Sequence, residues 1–76
     1  MTELLEFLVR ALVEDPGAVV VEELEEDGDL VYEITVAEED LGRVIGKGGR
    51  VANAIRTIAK AAAVRIDRRV IVDILD

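Results

Sequence analysis

The segment Val44-Ile45-Gly46-Lys47-Gly48-Gly49-Arg50 decides how this chain is read. Glycine is a poor helix former, so a cluster of glycines interrupts a helix. Apolar residues lead into the segment and an amphipathic pattern leaves it, which makes it a glycine loop between two helices. The charge around it is segregated. The 76-residue chain has a formal net charge of −8. Eight of its nine Lys and Arg residues nevertheless fall between Arg43 and Arg69, a window with a net charge of +7. Residues 1–42 carry −13. Residues without side chains, exposed main-chain N–H groups and concentrated positive charge together suit a phosphate backbone.

The rest of the composition bounds the possibilities. A chain of 76 residues is one domain, 1–76. A domain this small buries only about 60% of its unfolded surface. There is no cysteine, so no disulfide supports it, and oligomerisation is the remaining common staple. Hydrophobic residues make up 51% of the chain, enough for a core and too many for disorder. Phe7 and Tyr32 are the only aromatics. The start of the chain lacks a basic region, and the run Ala18–Val21 is too short to span a bilayer. These features predict a cytoplasmic protein with no membrane segment. His, Ser, Cys, Trp and Gln are all absent. The usual nucleophiles, the commonest general base and the commonest transition-metal ligand are therefore missing. No catalytic residue, metal or cofactor is expected.

Outward from the loop, the elements follow in order. Leu5, Leu8, Val9 and Leu12 recur at helical spacing, with Thr2 as a predicted N-cap and an end near Glu14. Pro16-Gly17 terminates that helix. Ala18–Leu24 predicts a strand, Asp27-Gly28 a tight hairpin turn, and Leu30, Tyr32, Ile34 and Val36 an alternating, half-buried strand. Glu38-Glu39-Asp40 opens a short helix carrying Leu41, Val44 and Ile45. After the loop a longer helix runs from Arg50 to Ala63. Val51, Ile55, Ile58 and Ala62 are predicted on its apolar face, with Arg50, Asn53, Arg56, Thr57 and Lys60 opposite. Arg65–Arg68 connects to a last strand, Arg69–Leu75. The acidic run Glu22–Asp29 does not fit a calcium loop, because Ile34 falls where a bidentate Glu belongs.

Four motifs compete for the glycine loop. A nucleotide P-loop requires G-x-x-x-x-G-K-[ST], and Gly42-x-x-x-Gly46-Lys47-Gly48 is one residue short and lacks the hydroxyl. A dinucleotide fingerprint fails at Val51, where its third Gly belongs. A helix-hairpin-helix matches Gly46-x-Gly48-x-x-x-Ala52-x-x-Ile55, but Lys47 occupies its apolar position and three strands have no place in it. The fourth is the KH signature: an apolar residue, Ile, Gly, two variable residues, then Gly. Val44-Ile45-Gly46-Lys47-Gly48-Gly49 matches it, in the element order α-β-β-α-α-β. The chain resembles a type II KH domain over essentially its whole length. Val36 to Arg50 with Ala54-Ile55-Arg56-Thr57 resembles the small stand-alone bacterial KH-domain RNA-binding proteins of the KhpA type.

The resemblance implies an α+β fold in which a three-stranded sheet carries three helices on one face, with the G-x-x-G loop between helices 2 and 3. It implies single-stranded RNA as ligand, held by Arg43, Val44, Ile45, Gly46, Lys47, Gly48, Gly49, Arg50, Asn53 and Arg56. N–H groups opening the helix at Arg50 are expected to face phosphate, with Arg43 and Arg50 flanking it and Val44 and Ile45 flooring the groove. It further implies an RNA chaperone or post-transcriptional regulator, acting as a homodimer or with a larger KH-containing RNA-binding partner. Ala61-Ala62-Ala63 offers small residues for a dimer contact. Two rivals remain at this level: a protein-docking module whose RNA contacts come from a partner, and the helix-hairpin-helix backbone binder. Few aromatics predict weak, salt-sensitive, sequence-tolerant binding.

Overall fold

The computed structural model describes all 76 residues. Helix α1 spans Thr2–Leu12, strands β1 and β2 span Val20–Glu26 and Asp29–Thr35, helices α2 and α3 span Leu41–Ile45 and Arg50–Ala62, and strand β3 spans Val70–Ile74. The hairpin is as tight as the sequence predicts. Asp27 (φ 51°) and Gly28 (φ 86°) both sit at positive φ, and Glu26 pairs with Asp29 directly across the two-residue turn. Strand β2 is central, antiparallel to β1 and parallel to β3. A parallel neighbour requires a crossover, and α2, the glycine loop and α3 together supply it. Such a crossover has no counterpart in a bare hairpin-helix unit, which removes that rival.

The three helices cover one face of the sheet. Under them Val21, Tyr32, Ile34, Val70 and Val72 meet Leu5 and Val9 of α1, Val44 of α2, and Ile55, Ala59 and Ala63 of α3 or just beyond it. Tyr32 is buried, and its hydroxyl donates to Glu23 Oε1 at 2.7 Å. Burial first, then that hydrogen bond, pushes its phenol up to about 12. On the uncovered face, Glu22, Glu33 and Asp73 lie in register across the three strands. These three acids therefore stand on the side away from the helices.

Four local expectations change. Thr2 is not the cap of α1: Met1 takes that place, with no side-chain capping bond, because its side chain packs against the core and draws Thr2 into the helix. The helix stops at Leu12, and Val13 is extended (φ −97°, ψ 161°). The cause lies far along the chain. Asp40, 1% exposed, accepts the N–H groups of Glu14 (3.1 Å) and Asp15 (3.0 Å), which pulls the backbone out of the helix. Residues Pro16–Ala18 form a 3₁₀ turn, so β1 begins at Val20 rather than Ala18. On α3 the core face is Ala52, Ile55 and Ala59, continued by Ala63; Ile58 is 42% exposed and Ala62 is exposed. Docking on small residues brings the helix close to its neighbours and rotates the larger Ile58 outward.

The Asp40 staple has a measurable consequence. Asp40→Asn keeps one acceptor but turns an amide N–H₂ toward a backbone donor. Hydrogen bonds to charged groups contribute about 1.5–3 kcal/mol, so a loss of about 2 kcal/mol is expected. In a domain of this size that lowers Tm by about 10 °C. Thermal denaturation of the variant checks it; an unchanged Tm would show that the staple contributes nothing.

Candidate nucleic-acid interface

Helix α2 ends because Gly46 turns the chain. Its φ of 75° and ψ of 169° lie in a region essentially restricted to glycine. There is also no room for a side chain: an added Cβ would stand 2.4 Å from Val51 Cγ2 and 2.8 Å from Val51 N. Gly48 (φ 66°, ψ 17°) and Gly49 (φ 81°, ψ 12°) are left-handed, and the space around Gly48 is open. Gly46 thus sets the close approach of α2 to α3, while Gly48 forms the exposed tip with Lys47.

The loop's main-chain donors are distributed in an informative way. Gly46 N–H donates to Gly42 O, Gly49 N–H to Gly46 O, and Arg50 N–H to Lys47 O. Lys47 and Gly48 have no intramolecular acceptor for theirs. The N–H of Arg50, expected to face a phosphate, is therefore spent inside the loop. The donors available to a ligand lie one step earlier, beside the Lys47 ammonium.

The sequence-predicted residues separate into groups. Lys47 and Arg50 are exposed and form no ion pair. Arg43 instead lies between two carboxylates, Glu14 Oε1 at 2.8 Å and Asp40 Oδ1 at 3.5 Å. Val44 is 0% exposed and belongs to the core, whereas Ile45, 39% exposed, offers an apolar surface. Arg56 is drawn across to the sheet: its Nε donates to Val72 O (3.1 Å) and its Nη1 to Asn53 Oδ1 (3.2 Å). Asn53 thus orients Arg56. Between α3 and the β3 edge lies an open cleft of about 420 Å³, lined by Arg56, Lys60, Arg69, Val70, Ile71 and Val72.

That cleft extends the site beyond what the sequence singled out. Lys60 and Arg69 join Arg56 only because the parallel crossover lays β3 alongside α3. Helical spacing from Arg56 to Lys60 and the place of Arg69 in the basic window are the signals the sequence offers for them. Arg68 serves structure instead: it donates to Gly28 O (2.9 Å) and pairs with Glu25 (2.5 Å), pinning the α3–β3 connection to the hairpin.

A loop of this geometry between two helices over a mixed sheet has known counterparts. The family model "KhpA/KhpB, KH domain" matches residues 2–74. The chain belongs to the KhpA/KhpB KH-domain family. It is 49% identical over 75 residues to the RNA-binding protein KhpA of Caldanaerobacter subterraneus, covering 99% of this chain and all of that one. It is 48% identical to KhpA of Clostridium acetobutylicum over the same 99% and 100%. Against KhpA of Listeria monocytogenes it is 42% identical, with both chains covered in full. Among solved structures, Aquifex aeolicus Era superposes with a TM-score of 0.65 at 22% identity, over 96% of this chain and 28% of that chain. Era bound to MgGDPNP and nucleotides 1506–1542 of 16S ribosomal RNA gives 0.63 at 25% identity, with the same coverage. The KhpA/KhpB family is one of RNA-binding KH domains and not of enzymes. No helix of this member is long and apolar enough to cross a membrane.

Proposed function

We propose that this chain binds single-stranded RNA, with the sugar–phosphate backbone on the Gly46–Gly49 loop and bases along the α3–β3 cleft. One observation carries the reading: the cations left without a carboxylate partner include Lys47, Arg50, Arg56 and Lys60, all on the loop or α3. They stand beside the unspent N–H groups of Lys47 and Gly48. Its relatives carry the same activity in their names. Tyr32 is buried and Phe7 lies on α1, so no aromatic lines the cleft and base stacking is not available there. Affinity then rests on phosphate contacts. The protein acts in the cytoplasm as an RNA chaperone or post-transcriptional regulator.

The test is titration of a labelled mixed-sequence single-stranded RNA at increasing salt. For two or three neutralised phosphates the log–log slope is roughly −2, which weakens binding roughly tenfold between about 50 and 200 mM salt. Undetectable binding at the lower salt would sink the reading and leave a protein-docking module that depends on its partner for RNA.

The exposed side of α3 supports self-association or pairing with a larger KH protein. Ile58 is 42% exposed, and Ala54, Ala61 and Ala62 are exposed beside it. Joining two weak RNA grooves raises effective concentration and hence avidity. Sedimentation of wild type is expected to give a dimer and Ile58→Glu a monomer with an unchanged melt. A wild-type monomer at all concentrations would exclude self-pairing.

A further inference from the structure

The cleft beside α3 is rich in side-chain hydrogen-bond donors. Along β3, Arg69 O accepts from Leu30 N–H (2.9 Å) and Leu75 N–H donates to Ile34 O (2.9 Å). In a parallel ladder, alternate residues direct both main-chain groups to the same neighbour. Arg69, Ile71, Asp73 and Leu75 therefore face β2, and Val70, Val72 and Ile74 present theirs to the free edge. The outward carbonyl of Val72 is already occupied by Arg56 Nε at 3.1 Å. Arg56 has five N–H groups. Val72 O takes one and Asn53 Oδ1 another, which leaves both on Nη2 and one on Nη1. Lys60 and Arg69 add further donors, and no carboxylate lines the cleft.

A base seated beside Val72 meets donors, because the carbonyl there is taken; the free-edge carbonyl of Val70 lies two residues further along β3. Guanine presents two acceptors, O6 and N7, spaced for an Arg fork. Adenine presents an amine where guanine has O6, and here that amine would find Arg56 already holding the Val72 carbonyl. We propose that Arg56 makes the base position over the β3 edge a guanine site. Asn53 and Val72 hold the guanidinium in place, so its free N–H groups reach the base edge without first being ordered. This inference rests on the RNA-binding reading above.

The test uses labelled uridine octamers with one central guanine, adenine or 7-deazaguanine, which lacks the N7 acceptor. Guanine is expected to bind roughly tenfold tighter than adenine, and 7-deazaguanine to lose most of that advantage. In Arg56→Met the three octamers should bind alike. Arg56→Lys keeps the charge but not the fork and should also equalise them, which separates base reading from charge if the Met variant melts early. Equal wild-type affinities for guanine and adenine, or a preference for adenine, would overturn the guanine site. If in that case the loop still governed binding, the RNA reading would stand; no binding to any octamer would remove both. A guanine preference that survives both Arg56 variants would assign it to another residue and overturn this one.

Discussion

Gly46→Ala is expected to lower stability by about 4 kcal/mol, combining residence in a glycine-only backbone region with overpacking against Val51. The overlap involves Val51 N at 2.8 Å as well as Cγ2 at 2.4 Å. A rotamer change of Val51 relieves only the second, so the first turn of α3 must shift. Native domains have about 0.05–0.15 kcal/mol of stability per residue, so this substitution removes a large part of the total. Tm should fall by about 20 °C. Gly48→Ala is the control. It places a left-handed residue in open space (φ 66°, ψ 17°), at a cost of about 1 kcal/mol. Adding Val51→Ala to Gly46→Ala should restore only part of the loss, because the backbone nitrogen stays. Equal destabilisation at the two glycines would show that the close approach of α2 and α3 is not what Gly46 maintains.

The largest expected effect on binding comes from Lys47→Asp combined with Gly48→Asp. The loop tip then changes from one positive to two negative charges beside the same N–H groups. Like charges placed against each other cost several kcal/mol, so RNA affinity should fall roughly a hundredfold at low salt, about 2.7 kcal/mol. The gap should narrow at high salt as screening grows. The fold should tolerate the change. Lys47 is exposed, Asp is among the residues that accept left-handed backbone, and a Cβ at Gly48 touches nothing. Fluorescence anisotropy with the labelled RNA reads the affinity and a thermal melt reads the fold. Undiminished affinity with an intact melt would place the RNA elsewhere on the molecule.

Much of this protein is legible in its sequence for local reasons. Asp27-Gly28 defines the hairpin because both residues accept positive φ. Leu30, Tyr32 and Ile34 announce one face of β2 by alternation, with Val36 just past its end, and Tyr32, Ile34 and Val36 are buried. The spacing Val44-Ile45-Gly46-Lys47-Gly48-Gly49 marks a loop between helices, and the structure has one there. Other features are not local. The end of α1 depends on Asp40, twenty-five residues beyond Asp15. The face of α3 depends on which small residues dock, and Ile58 looks as apolar as Ile55 in a helical pattern. The pairing of Arg43 with Glu14 joins residues with no sequence relation.

The sequence by itself determined the element order, the glycine loop and the separation of acidic and basic segments. Each follows from residue type or short-range spacing, where backbone preference acts directly. The tertiary structure decided which cations are free. Arg43, Arg68 and Arg69 find carboxylates across the fold, while Lys47, Arg50, Arg56 and Lys60 do not. It also decided that Arg56 reaches the edge of β3, because a parallel crossover brings residues 56 and 72 together. A charge acts over a distance in space, and only the folded chain sets that distance.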